Sequence, residues 1–98
     1  MSVRLYGLLD SCNDYGLKSQ MTRAAVSVAS NIAEGVERNT PKEFGRYLNI
    51  AKGSAAELRT QIYIGAEIGI FTTVQRDELV MELKEISAML HGLAKSLR

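Results

Sequence analysis

The clearest pattern lies near the end of the chain, where Leu79, Leu83, Ile86, Leu90, Leu93 and Leu97 recur at alternating intervals of four and three. That repeat keeps one apolar seam on one face of an α-helix. A middle stretch repeats it with Phe44, Leu48, Ala51, Ala55, Leu58 and Ile62, continuing into Gly65 and Gly69. Alanines and glycines in such a seam face bulkier side chains, so that packed layers interdigitate. Upstream, Leu17, Met21, Val28 and Ile32 fall on helical spacing among Ala24, Ala25, Ser27, Ala29, Ser30, Ala33 and Gly35. A helix with so many small residues brings its backbone close to its neighbours.

The local start and stop signals give boundaries. One long helix is predicted from Tyr15 or Gly16 to about Glu37. In Thr40-Pro41-Lys42-Glu43, Thr40 is an N-cap, Pro41 takes the first helical position and Glu43 can complete a capping box. This second long helix runs to about Gly69, a glycine C-cap. Thr72 or Thr73 caps a last helix, with Gln75 completing the box if Thr72 is the cap. Before Tyr15, Val3, Leu5, Tyr6, Leu8 and Leu9 suffice only for a short helix from Val3 to Asp10 or Ser11, ended by Asn13-Asp14. No segment alternates as a strand does. The fold class is therefore all-α: an up-and-down antiparallel helical bundle of three long helices and a shortened N-terminal one. A short first helix leaves part of the core groove uncovered, a defect that self-association repairs.

Composition narrows the function. Ninety-eight residues are expected to form a single domain over 1–98, with 1–14 an atypical N-terminal segment. Twelve Lys and Arg against eleven Asp and Glu leave a net charge of +1, so no overall field draws the chain to nucleic acid or anionic lipid. The one cysteine, Cys12, has no internal partner for a disulfide, and no leader or membrane-spanning run is recognisable. A cytoplasmic protein is expected.

The residues YGLKSQ, RAAVSVASNIAEG, EFGRYLNIAKGSAAELRTQI and EISAMLHGLAKSLR resemble the bacterial four-helix bundle proteins, also called 23S rRNA intervening-sequence proteins. The resemblance covers Tyr15 to Arg98, with SNIAEG and KGSAAEL its most specific parts. It implies a compact bundle that assembles as a homo-oligomer, with homopentameric rings among relatives. Some members are encoded inside insertions in large-subunit rRNA genes. A related group serves diversity-generating retroelements, binding a reverse transcriptase and nucleic acid. The resemblance implies no catalytic residue. Two departures stand out: Ala29 replaces a common proline, implying a straighter helix, and the family's long first helix gives way to a shorter, unrelated segment.

Candidate chemistry is sparse. A carboxylate-bridged metal site in a bundle needs Glu-x-x-His pairs on two helices, but His91 is the lone histidine and has Ala88 and Ser87 before it. Ser19, Ser27, Ser30 and Ser54 have no second histidine to activate them. The expectation is no enzyme, no metal, no cofactor and no small-molecule substrate. Asn31 and Glu34, with Ser54, Glu57 and Gln61, interrupt small or apolar surroundings. They form either a polar contact site or hydrogen bonds that fix helix register.

Two surface features remain. At about 100° per residue, Lys42, Arg46, Lys52 and Arg59 fall within a sector of about 140° opposite the middle helix's core face. This is either an ordinary solvated face or a weak phosphate-tracking stripe that a ring would multiply. Ile50, Ile64 and Ile68 cluster roughly 100–150° from the seam centre, while Val26 and Met81 also point away from theirs. Three isoleucines on one flank, with Val26, read as a subunit interface. The expected function is a non-enzymatic oligomeric scaffold whose partners are itself, as a pentamer, and RNA, DNA or a nucleic-acid enzyme such as a reverse transcriptase. The alternative is a protein–protein interaction module with no nucleic-acid role. No membrane partner is expected.

Overall fold

The computed structural model describes residues 1–10 and 14–97. Cys12 lies outside them. Helices α1 (Ser2–Leu9), α2 (Tyr15–Val36), α3 (Pro41–Glu67) and α4 (Thr73–Ser96) follow one another in an up-and-down antiparallel bundle. The longest dimension, 43 Å, is close to the length of α3, whose 27 residues rise about 1.5 Å each. Among the described residues, no helix is long and apolar enough to cross a membrane.

The caps follow from local chemistry. Asp14, expected to end the first segment, instead caps α2, its carboxylate accepting from Leu17 N at 3.0 Å. Thr40 caps α3 by accepting from Glu43 N at 3.2 Å. Glu43 does not reach back as the box predicts; its carboxylate pairs with Arg46 at 3.3 Å. At α4 the box is complete: Thr72 accepts from Gln75 N, and Gln75 Oε1 accepts from Thr72 N at 2.9 Å. Gly69 ends α3 just past the cap, at φ +86°. Its N–H donates to Ala66 O, and that of Ile70 donates to Gly65 O at 2.8 Å. This is the paired C-terminal closure that favours glycine at that position.

The core follows the predicted seams in two buried clusters, bridged by the half-buried Ile32 and Ile86. Leu48, Ala51, Ala55, Leu58 and Ile62 of α3 meet Leu79, Leu83 and Leu90 of α4, and Met21, Ala24, Ala25 and Val28 of α2. Leu5 and Leu9 plug one end from α1, and Phe71 enters from the α3–α4 turn. Leu93 departs from the heptad expectation, being 42% exposed. The heptad places it on the inner face, but α1 is only eight residues long and does not extend to this level. A side chain with no neighbouring helix at its level stays in water. Ile86 and Leu97 are half-buried, Leu97 packing against Leu48, Ala51 and Leu90.

α1 is secured at its edge by Arg4, whose guanidinium donates to Glu82 at 2.8 Å and to Glu78, both on α4. The Glu78 hydrogen bond is the main cause raising the Arg4 pKa above its ordinary value. α2 runs unbroken through Ala29, as expected where no proline interrupts the backbone ladder.

Candidate nucleic-acid interface

The cationic side chains converge at the α2–α3 turn because of a glycine. Gly35 is buried, and a Cβ there would lie 3.1 Å from Phe44 Cδ1 and 3.2 Å from Tyr47 Cβ. With no side chain at Gly35, α3 rests Tyr47 directly on the last turn of α2. The guanidiniums of Arg38 and Arg46 then lie over the Tyr47 ring, 4.8 and 4.9 Å from its centroid. Such contacts hold a flexible arginine in place and stabilise it by about 0.5–1 kcal/mol at an exposed site. Arg38 is also paired with Glu34 at 2.6 Å, and Arg46 with Glu43. Each pairing uses only part of a guanidinium's five donors. Lys42 stands beside them, exposed and without an ion pair among the described residues. A shallow groove runs from Lys42 and Arg46 past Asn49 to Ala94 and Leu97 of α4.

The four cations singled out in the sequence are spread along α3. Lys42 and Arg46 belong to the turn cluster. Lys52 is half-buried on the side of α3 that meets α4, with its Nζ 3.3 Å from His91 Nδ1. Arg59 lies seven residues further on the same side and is exposed. Arg38 and Tyr47 were missing from the sequence reading; Arg38 lies outside the periodic segments, and Tyr47 reaches the turn only through the approach that Gly35 permits.

The polar residues between α2 and α3 form a seam. Ser27 Oγ and Ser54 Oγ are 2.7 Å apart, and Asn31 Nδ2 donates to Ser27 O at 2.8 Å. Glu34 turns away to Arg38. Gln61 is buried, donating through Nε2 to Glu57 at 3.3 Å, while its Oε1 has no partner among the described residues. Only the Ser27–Ser54 bond crosses between α2 and α3, and among the described residues these groups offer no nucleophile–base pair. Among the described residues no group of three or more His, Cys, Asp or Glu is placed to hold a metal.

The apolar residues singled out on the surface are all exposed: Val26 (45%) on α2, and Ile50 (42%), Ile64 (47%) and Ile68 (55%) on α3 and its cap. The three isoleucines share the outer flank of α3, and Val26 faces outward from α2 beside Tyr15 and Tyr6.

A solved structure with this architecture is that of a protein of unknown function from the S23 ribosomal protein family of Bacteroides thetaiotaomicron. It is similar at a TM-score of 0.88 and 24% identity, over 96% of this chain and 88% of that one. At that identity the likeness establishes the fold alone. No curated protein matches the sequence. The family described as 23S rRNA-intervening sequence protein matches residues 2–92, which takes in α2, α3, most of α4 and also α1, so the first segment, expected to be unrelated to the family, falls within the match. With nearly the whole chain matched and the bundle in place, the protein belongs to the 23S rRNA-intervening sequence protein family.

Proposed function

We propose that this protein is a non-enzymatic, oligomeric helical scaffold that associates with nucleic acid or a nucleoprotein in the cytoplasm. The observation that carries this reading is the turn cluster, where Tyr47 orders Arg38 and Arg46 beside the unpaired Lys42. Guanidiniums fixed in this way present donors to phosphate with little left to order on binding. Glu34 and Glu43 offset much of the charge, so one patch is weak. Repetition around an oligomer, a homopentamer in the family pattern, would supply the avidity that one subunit lacks. Lys52 and Arg59 extend the contact along α3.

Anisotropy titration of labelled single-stranded RNA at about 50 mM salt tests the reading. Binding is expected to be sequence-tolerant and to fall steeply with salt, because phosphate contacts release counterions. The double variant Arg46→Glu/Lys52→Glu should abolish it while leaving the oligomer intact. The absence of binding at low salt would overturn the nucleic-acid half. The protein-interaction reading would then stand on Val26, Ile50, Ile64 and Ile68, whose exposed apolar surface needs no nucleic acid to account for it.

A further inference from the structure

The outward face of α2 carries a second group of aromatic and cationic side chains, away from the α2–α3 turn. Tyr15, Ser19, Thr22 and Val26 recur four, three and four residues apart, and so form one stripe along the helix. The core takes Met21, Ala24, Ala25 and Val28 from other faces of it. At about 100° per residue, Lys18 and Arg23 lie about 70° to either side of the stripe. Tyr6 of α1 joins them, and together these residues line a shallow groove of about 490 Å³, the size of a small-ligand site.

The lining residues describe what fits. Both tyrosines are exposed, Tyr15 at 77% and Tyr6 at 50%. Among the described residues the cation–ring contacts fall on Tyr47 instead, so the Tyr6 and Tyr15 rings keep their faces for a flat partner. Neither Lys18 nor Arg23 takes part in an ion pair among the described residues, and no carboxylate lines the groove. The turn cluster differs on both counts, since its ring already carries two guanidiniums and Glu34 and Glu43 offset its charge. Flat apolar faces beside uncommitted positive charge suit a partner that joins planar rings to phosphate.

We propose that this groove binds a short single-stranded segment of nucleic acid, with bases stacked on Tyr6 and Tyr15 and phosphates beside Lys18 and Arg23. A duplex keeps its base faces inside its own stack and offers the tyrosines nothing. A lipid surface is flat and does not enter a concave groove. The inference rests on the nucleic-acid half of the proposed function for its class of ligand. It adds a preference for single strands, which contacts to phosphate at the turn cannot supply.

The test follows the ring protons of the four tyrosines by NMR, assigned with single Tyr→Phe variants, as the full chain is titrated with a single-stranded RNA of about four nucleotides. The Tyr6 and Tyr15 rings should shift, and a blunt RNA duplex should act on them at least about tenfold more weakly. Tyr15→Ala should weaken the oligonucleotide at least about fivefold, the loss of one base stack, whereas Tyr15→Phe should retain it. The exposure of Tyr15 keeps both variants folded. Lys18→Gln and Arg23→Gln should each flatten the salt dependence. Arg46→Glu/Lys52→Glu should leave the Tyr6 and Tyr15 shifts in place, which tells failure of the turn site from failure of the groove. Rings of Tyr6 and Tyr15 that do not shift, binding indifferent to Tyr15→Ala, or a duplex as effective as the single strand would overturn the proposal. So would an acidic peptide that shifts the two rings where the oligonucleotide does not, since the groove would then be a protein site.

Discussion

Gly65 and Phe71 occupy one another's space: a Cβ on Gly65 would lie 2.8 Å from Phe71 Cε2 and 2.9 Å from Cδ2. Phe71 closes the end of the core from the α3–α4 turn and is almost fully buried. The missing side chain in the last turn of α3 is what lets the ring in. Gly65→Ala should therefore destabilise the fold by about 1–3 kcal/mol, the usual cost of overpacking, although alanine is the better helix former by about 1 kcal/mol. Gly53 supplies the control. It is exposed in the same helix with nothing within 4 Å of a Cβ, so Gly53→Ala should stabilise by up to about 1 kcal/mol. Urea denaturation of the two variants should move the midpoint in opposite directions.

Two leucines of the same heptad should behave differently. Leu90 is buried against Leu48 and Ala51, and Leu90→Ala should cost about 2–5 kcal/mol. Leu93 is 42% exposed near the end of α4, so Leu93→Ala should stay within about 0.5 kcal/mol, as surface substitutions do. Thermal melts that lower both variants equally would show that Leu93 is covered in solution.

The buried Gln61 gives a stabilising substitution. Its Oε1 is orphaned in the core and its one bond runs to Glu57 on the same helix. Gln61→Met keeps the length of the side chain and removes the unsatisfied acceptor, which costs about 1–3 kcal/mol when buried. The midpoint of chemical denaturation should rise by an amount corresponding to about 1 kcal/mol.

These residues mark how far the sequence is legible. The seam leucines, the Thr40 and Thr72 caps and the Gly69 stop are local signals, set by periodicity and by hydrogen bonds within a turn, and each appears where its residue type demands. Leu93 misleads because a heptad reports which face points inward without reporting whether a neighbour is there to meet it. Phe71 was overlooked for the opposite reason: it belongs to no periodic run, and its burial depends on Gly65 across the end of α3. The candidate interface was only partly visible. Lys42 and Arg46 were found by their angular position on α3. Their grouping with Arg38 and Tyr47 depends on how two helices close on Gly35, which no single-helix wheel contains.

The last prediction joins the two halves of the proposed function. Ile64 is half exposed on the outer flank of α3 and shares it with Ile50 and Ile68, so Ile64→Glu should leave the helical content unchanged and oppose assembly by placing charge in an apolar contact. Light scattering of the parent should give a multiple of the single-chain mass, and the variant a smaller species. Each subunit carries a net charge of only +1, and its turn cluster is offset by Glu34 and Glu43. A dissociated variant should therefore lose RNA binding even though no cation has been changed, because avidity falls with the number of linked sites. Its salt dependence should flatten at the same time, since fewer phosphates are neutralised per complex. Undiminished binding by a monomeric Ile64→Glu would show that one patch suffices and would separate nucleic-acid association from assembly. A parent protein that is already monomeric would remove the oligomer from the proposed function altogether.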